Sequence, residues 1–159
     1  MKKLFSIFVI LLAVMCCVSL TADAKTRTKK RANASRVSAT PGVVNEITPQ
    51  QFKQMVADWQ NSPKKFKGRR PAVVDIYAPW CGPCKRLAPI LERLAKRYHG
   101  QVDFYRIDGD NYREFSKVYL MRGYPTVLVW APRKGIVNKS DGQHEEDFYV
   151  QQINNALYD

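Results

Sequence analysis

Acidic residues are scarce in this chain: 14 Asp and Glu stand against 26 Lys and Arg, a formal charge of +12 over 159 residues. Cysteine is scarce as well, with four, too few for a small domain stapled by disulfides. Only one long apolar run occurs, near the N-terminus, which excludes a protein that crosses a membrane several times. Internal repeats and low-complexity blocks are absent, and the length excludes a second large domain. What is there is 45% hydrophobic residues, enough to bury one core and too many for a wholly disordered chain.

The apolar run, Leu4 to Leu20, carries no charge, follows Lys2 and Lys3, and precedes Ala22-Asp23-Ala24. A basic start, an apolar middle and an A-x-A site are the order of a secretory signal peptide. Residues 1–24 are therefore expected to direct export, with an uncleaved membrane anchor as the alternative. Cleavage removes Cys16 and Cys17 and leaves Cys81 and Cys84. Outside the cytoplasm, in a periplasm or another oxidising space, a thiol pair either locks a structure or performs disulfide chemistry. Residues 25–40 carry six basic residues and no acid among Ala, Ser and Thr, and read as a disordered tether. Weak contact with an anionic lipid surface suits that charge. Nucleic acid is not an expected partner of an exported protein.

Residues 41–159 alternate strand and helix patterns. Val43 to Ile47 suits a short strand. Thr48 caps a helix with Pro49 at its first position, and Phe52, Met55, Val56 and Trp59 form its apolar stripe. Asn61 to Arg70 reads as a charged loop. Ala72 to Ala78 is an almost continuous apolar run, the mark of a central strand buried on both faces. A helix from Cys81 to Tyr98 ends at Gly100, and Pro89 is expected to kink it. A strand over Val102 to Ile107, a short helix over Asn111 to Leu120, and a hairpin of Thr126 to Trp130 with Ile136 to Lys139 follow. A last helix, Glu145 to Leu157, turns Phe148, Ile153 and Leu157 inward. The order predicts an α/β fold: a central mixed sheet with helices on both faces.

The chemistry concentrates in Trp80-Cys81-Gly82-Pro83-Cys84-Lys85, at a strand-to-helix junction. Residues three apart on a helix share a face, with Cβ atoms about 5–6 Å apart, within reach of a disulfide after small adjustment. Cys81 at the helix N-terminus meets free N–H groups and the positive end of the dipole, which acidify a thiol below the ~8.5 of free cysteine. Cys84, one turn in, is expected to be more buried and to keep its proton longer, so one sulfur attacks and the other resolves. Gly82 admits a substrate backbone, and Pro83 fits a first turn that needs no N–H. Asp75 is a lone acid in the apolar strand. Buried, its carboxyl gains proton affinity and can take the proton that Cys84 must lose; the alternative is that it reaches solvent or a lysine at the sheet edge. Gly123-Tyr124-Pro125-Thr126 brings a proline into a strand, where it cannot donate to the ladder. On its own the Tyr124–Pro125 bond is expected to be trans. Zinc would need four ligands, and His99 and His144 stand far from the cysteines, so no metal and no organic cofactor is expected.

WCGPCK, the longer run VVDIYAPWCGPCKRLAPILERLAKRY and GYPT together resemble the thioredoxin family, from about Val43 to Leu157. The resemblance implies the thioredoxin fold and a Cys81–Cys84 dithiol/disulfide cycle, with Asp75 assisting. It implies a cis bond at Pro125, and a groove rimmed by Trp80, Tyr124, Pro125 and Gly142 in which substrate polypeptide pairs with the Tyr124 backbone. The chain departs from the family pattern at Phe104, where a lysine often accompanies the buried aspartate; the direction of Arg106 is left open. Tyr124 is bulkier than the usual aliphatic residue.

The expected activity is therefore protein-disulfide exchange, in the reducing direction that Gly82-Pro83 between the cysteines suggests, by a monomer. A reductant outside the cytoplasm needs electrons from across the membrane, so a membrane electron transporter is an expected partner. The rival class is a polypeptide-binding module without turnover, which has no need of both thiols. A peroxidase wants a distant resolving cysteine, which the CxxC spacing disfavours.

Overall fold

The computed structural model describes residues 38–158. The proposed export signal, Cys16, Cys17 and most of the basic tether lie outside the described residues. Eleven elements follow in order among them: β1 (Val44–Glu46), α1 (Pro49–Met55), β2 (Ala57–Asp58), β3 (Ser62–Phe66), β4 (Ala72–Tyr77), α2 (Gly82–Arg97), β5 (Asp103–Asp108), α3 (Arg113–Val118), β6 (Thr126–Ala131), β7 (Gly135–Asp141) and α4 (Glu146–Tyr158). The main sheet has the order β1-β5-β4-β6-β7, and β2 pairs with β3 separately. β1, β5 and β4 run parallel, while β6 and β7 are antiparallel to their neighbours. This is the mixed sheet that the element pattern predicts.

The continuous apolar character of β4 has its reason in this topology: helices cover both faces, and every residue from Ala72 to Ile76 is buried. Side chains alternate across a strand. Ala72, Val74 and Ile76 pack with Phe52, Phe115, Tyr119 and Trp130 on the face beneath α1 and α3. Val73 packs on the other face with Leu87, Leu91 and Leu94 of α2 and with Tyr149 and Ile153 of α4. Phe52 is the hub of the first cluster. Its ring meets those of Phe115, Tyr119 and Trp130 edge-on at 4.9, 5.9 and 6.0 Å, the geometry that the ring quadrupole favours. On the other face, Arg93 of α2 donates from Nε and Nη2 to Glu146 of α4 at 2.9 and 2.7 Å.

Local chemistry sets several boundaries. Thr48 and Gln51 exchange side-chain and backbone hydrogen bonds in a capping box, with Pro49 opening α1, as expected. That helix stops at Met55, earlier than the Trp59 stripe implies, and Trp59 instead donates Nε1–H to the Pro49 carbonyl at 3.1 Å. The segment read as a loop after Asn61 holds strand β3. Asp58 accepts the backbone N–H groups of Gln60 and Asn61, both at 3.2 Å, which turns the chain, and Phe66 anchors the hairpin by stacking 5.7 Å from Trp130. The strand escaped notice because its own residues are charged: its anchor is a ring far away in sequence. In α4 the buried residues are Tyr149, Ile153 and Ala156; Phe148 and Leu157, expected inward, are only partly buried.

Candidate active site

β4 delivers the chain to the C-terminal edge of the parallel strands, where the loop after Tyr77 turns into α2. Cys81 is the N-cap of α2, and its backbone N–H reaches the Ala78 carbonyl at 3.1 Å. Pro83 stands in the first turn. Cys81 and Cys84 are joined in a disulfide, their Cα atoms 5.3 Å apart, inside the usual range for such a bridge. The Cys84 N–H donates to Cys81 Sγ at 3.1 Å, so the first sulfur already collects a helix-terminal donor. Burial does not separate the two sulfurs as expected: Cys81 is 3% exposed and Cys84 2%. They differ in place: Cys81 caps the helix and Cys84 stands in its first turn. The surface at Gly82 is open, since a Cβ there would meet only an Arg86 nitrogen, at 3.9 Å.

Asp75 does not reach solvent and does not sit at a sheet edge. It is fully buried in the central strand, and by alternation it faces the same side as Val73, under α2 and α4. Oδ1 has no hydrogen-bond partner among the described residues. Oδ2 lies 3.5 Å from Arg106 Nη2. Burial lifts the carboxyl from 3.8 to about 7, outweighing the opposing pull of Arg106. Burial also raises the Tyr149 phenol to about 12, and Asp75 adds to that rise from across the interface with α4. The direction of Arg106, open from sequence, is thus toward Asp75. Phe104 is buried in the apolar cluster beside it.

The groove residues come together around the disulfide. Trp80 is 68% exposed, its ring edge-on to Tyr124 at 5.9 Å, and its Nε1–H donates to Asp110 at 2.8 Å. Tyr124 and Tyr77 flank the small buried cluster of Ala78, Cys81 and Cys84. The Tyr124–Pro125 bond is cis, as the family resemblance implies and against the expectation from the residues alone. Gly142 N–H donates to the Pro125 carbonyl at 2.7 Å. Gly142 holds φ at +85°, a backbone that glycine accepts without strain. Arg86 Nε–H reaches Gln143 at 3.0 Å and ties α2 to that loop. Sequence reasoning missed Asp110, Tyr77 and Glu46. Asp110 was detectable in principle, because Asp108 and Asn111 form an Asx turn around it; the other two depend on strand pairing.

Comparison with known proteins agrees with this geometry. Residues 43–155 match the family model described as Thioredoxin. The chain is 39% identical over 104 residues to a thioredoxin of Borreliella burgdorferi, covering 65% of this chain and 88% of that one. It is 31% identical over 121 residues to a probable protein disulfide-isomerase A6 of Medicago sativa, covering 75% of this chain but spanning only 31% of that relative's length. Among solved structures, spinach chloroplast thioredoxin f superposes with a TM-score of 0.59 at 28% identity, covering 72% of this chain and 87% of its own. A mutant thioredoxin from Halobacterium salinarum gives 0.61 at 25% identity, with 76% and 96% covered.

Proposed function

This chain belongs to the thioredoxin family and is a thiol–disulfide oxidoreductase acting on protein disulfides, and we propose that Cys81 attacks, Cys84 resolves and Asp75 accepts the proton that Cys84 must lose. The observation that carries the reading is the Cys81–Cys84 bridge at the N-terminus of α2, on the sheet face where Asp75 is buried. In the reduced protein, helix-terminal N–H groups and the dipole favour the Cys81 thiolate. It attacks one sulfur of a substrate disulfide, forms a mixed disulfide and expels the other substrate sulfur as thiolate. Asp75 then accepts the Cys84 S–H proton. Cys84 thiolate attacks Cys81 Sγ, the Cys81–Cys84 bond forms, and the remaining substrate sulfur leaves as thiolate and takes up a proton. Two electrons pass from the dithiol to the substrate. A carboxyl pushed up to about 7 is suited to this, because a base works best when its proton affinity lies close to working pH.

Trp80, Gly82, Pro83, Tyr124, Pro125 and Gly142 form the polypeptide-binding rim in this reading. The exposed indole and the adjoining Tyr124 ring offer apolar contact, and the uncluttered backbone at Gly82 lets a chain lie close. We read residues 1–24 as an export signal, 25–40 as a tether and 41–159 as the catalytic domain. The enzyme acts as a monomeric reductant outside the cytoplasm, recharged by a membrane electron transporter. Lys2, Lys3, the run from Leu4 to Leu20 and Ala22-Asp23-Ala24 support export; Gly82-Pro83 supports the reducing direction. Insulin-disulfide reduction by the wild type, together with its equilibrium potential against glutathione, tests the proposal. A potential of about −270 mV is expected for a reductant of this kind. A value above about −150 mV would overturn the direction, and absence of turnover would overturn the roles of the cysteines.

A further inference from the structure

The buried acid has a neighbour that the proposed mechanism leaves unused. In the register of the sheet, Glu46 of β1 stands opposite Arg106 of β5, and Arg106 opposite Asp75 of β4. Side chains alternate between the faces of a sheet, so residues paired in register on these parallel strands share a face. One rung thus carries acid, base, acid across three strands, on the face covered by α2 and α4. Arg106 does not close a tight ion pair with Asp75. The 3.5 Å separation exceeds the roughly 2.7–2.9 Å of a strong charge-assisted bond, so the guanidinium acts on Asp75 mainly as a nearby charge. What holds it there is Tyr77. The Arg106 Cζ lies 4.2 Å from the centre of the Tyr77 ring, a cation–π contact, and the Tyr77 hydroxyl donates to Glu46 Oε1 at 2.7 Å, fixing the ring. Arg106 also lines a surface hollow with Gly42, Val43, Val44, Glu92 and Lys96, so its other side borders solvent.

We propose that Arg106, held by the Tyr77 ring on the rung between Glu46 and Asp75, is a positioning residue that places a fixed charge beside the buried carboxyl. It deepens the assignment of Asp75 to Cys84 and rests on that reading for its catalytic consequence. A guanidinium keeps its charge throughout the working pH range, so Asp75 feels a constant field rather than a second titration. The other groups around Asp75 do not supply such a field: Cys84 on α2 is bonded to Cys81 and carries no charge, burial raises the Tyr149 phenol on α4 to about 12, Val127 on β6 and Phe104 on β5 are apolar, and Tyr77 acts through the clamp. Around Arg106 itself the charged groups are Glu46 on β1 and Glu92 and Lys96 on α2.

The test is a carboxyl-carbon NMR titration of Asp75 in the oxidised full chain, paired with the pH–rate profile of insulin reduction. Removing an opposite charge at this range should raise the Asp75 midpoint by about 1–3 pH units in Arg106→Gln. Arg106→Lys should restore more than half of that shift. Tyr77→Leu, which keeps Arg106 but removes its clamp, should move the midpoint the same way by less, and it stands in if Arg106→Gln does not fold. Midpoints that stay at the wild-type value in Arg106→Gln, or in Tyr77→Leu as its stand-in, overturn the proposal. A midpoint that rises while the rate profile stays fixed supports the role of Arg106 and overturns the assignment of Asp75 to Cys84, so the two failures are distinguishable.

Discussion

Replacing Asp75 by Asn removes an ionisable group from the centre of the sheet while keeping its size. The carboxyl is fully buried and its proton affinity rises from 3.8 to about 7, burial being the dominant cause. Each pH unit of difference between folded and unfolded states corresponds to about 1.4 kcal/mol. The sign follows from proton counting. Between the two values the folded protein holds a proton that the unfolded chain has released, so the stability from this group is fully present below about 4 and falls as pH rises toward 7. Above about 8 the loss is complete and amounts to about 4 kcal/mol. The side-chain amide in Asp75→Asn never ionises, so the variant's advantage over wild type should widen steadily from pH 4 to 7 and then level off. Denaturant unfolding of both oxidised proteins at one-unit pH intervals measures this directly, because groups common to the two cancel. A difference that stays constant from pH 5 to 8 would show that Asp75 titrates like an exposed carboxyl and would refute the account of the buried acid.

Three further outcomes follow from the same structure. Cys84→Ser should abolish turnover of insulin and accumulate mixed disulfides at Cys81, visible as bands on non-reducing gels that vanish with dithiothreitol; trapping by Cys81→Ser instead of Cys84→Ser would reverse the assignment of attacking and resolving sulfurs. Phe52→Ala empties the centre of the aromatic cluster beneath α1 and α3 and should cost about 3–5 kcal/mol in urea unfolding, with the Cys81–Cys84 potential unchanged because that cluster lies on the other face of the sheet. Thr48→Ala removes the capping box of α1 and should cost about 0.5–2 kcal/mol by the same assay.

Several features of the site were legible because they are local. The Cys81–Cys84 geometry follows from a spacing of three at a helix start, and Thr48-Pro49 announced α1 by capping chemistry alone. Asp75 stood out as one acid in a run of Val, Ile and Ala; on its own that pattern favoured a carboxyl reaching solvent, and only the neighbouring Cys-Gly-Pro-Cys motif pointed to a role in proton transfer. The misreadings share one cause. Trp59 looked helical and Ser62–Phe66 looked like a loop because what holds them is distant: Phe66 stacks on Trp130, and β3 lies so close to β7 that a Cβ on Gly135 would strike the Lys64 carbonyl. Likewise α4 rotates so that Tyr149 rather than Phe148 meets the sheet, a choice made by the surface it packs on.

The sequence by itself determined the dithiol, its place at a helix N-terminus, the alternation that makes β4 a two-sided core strand, and the family to which these motifs belong. These depend on helical and strand periods, which act over a few residues. Only the tertiary structure decided what surrounds the buried acid. Arg106 lies 31 residues from Asp75, and Tyr77 the same distance from Glu46. Whether they share a face depends on strand order and register, since a slip of one residue would turn every side chain of β5 to the opposite side. Register is set by the sum of packing across the whole sheet, and no short stretch of residues carries that information.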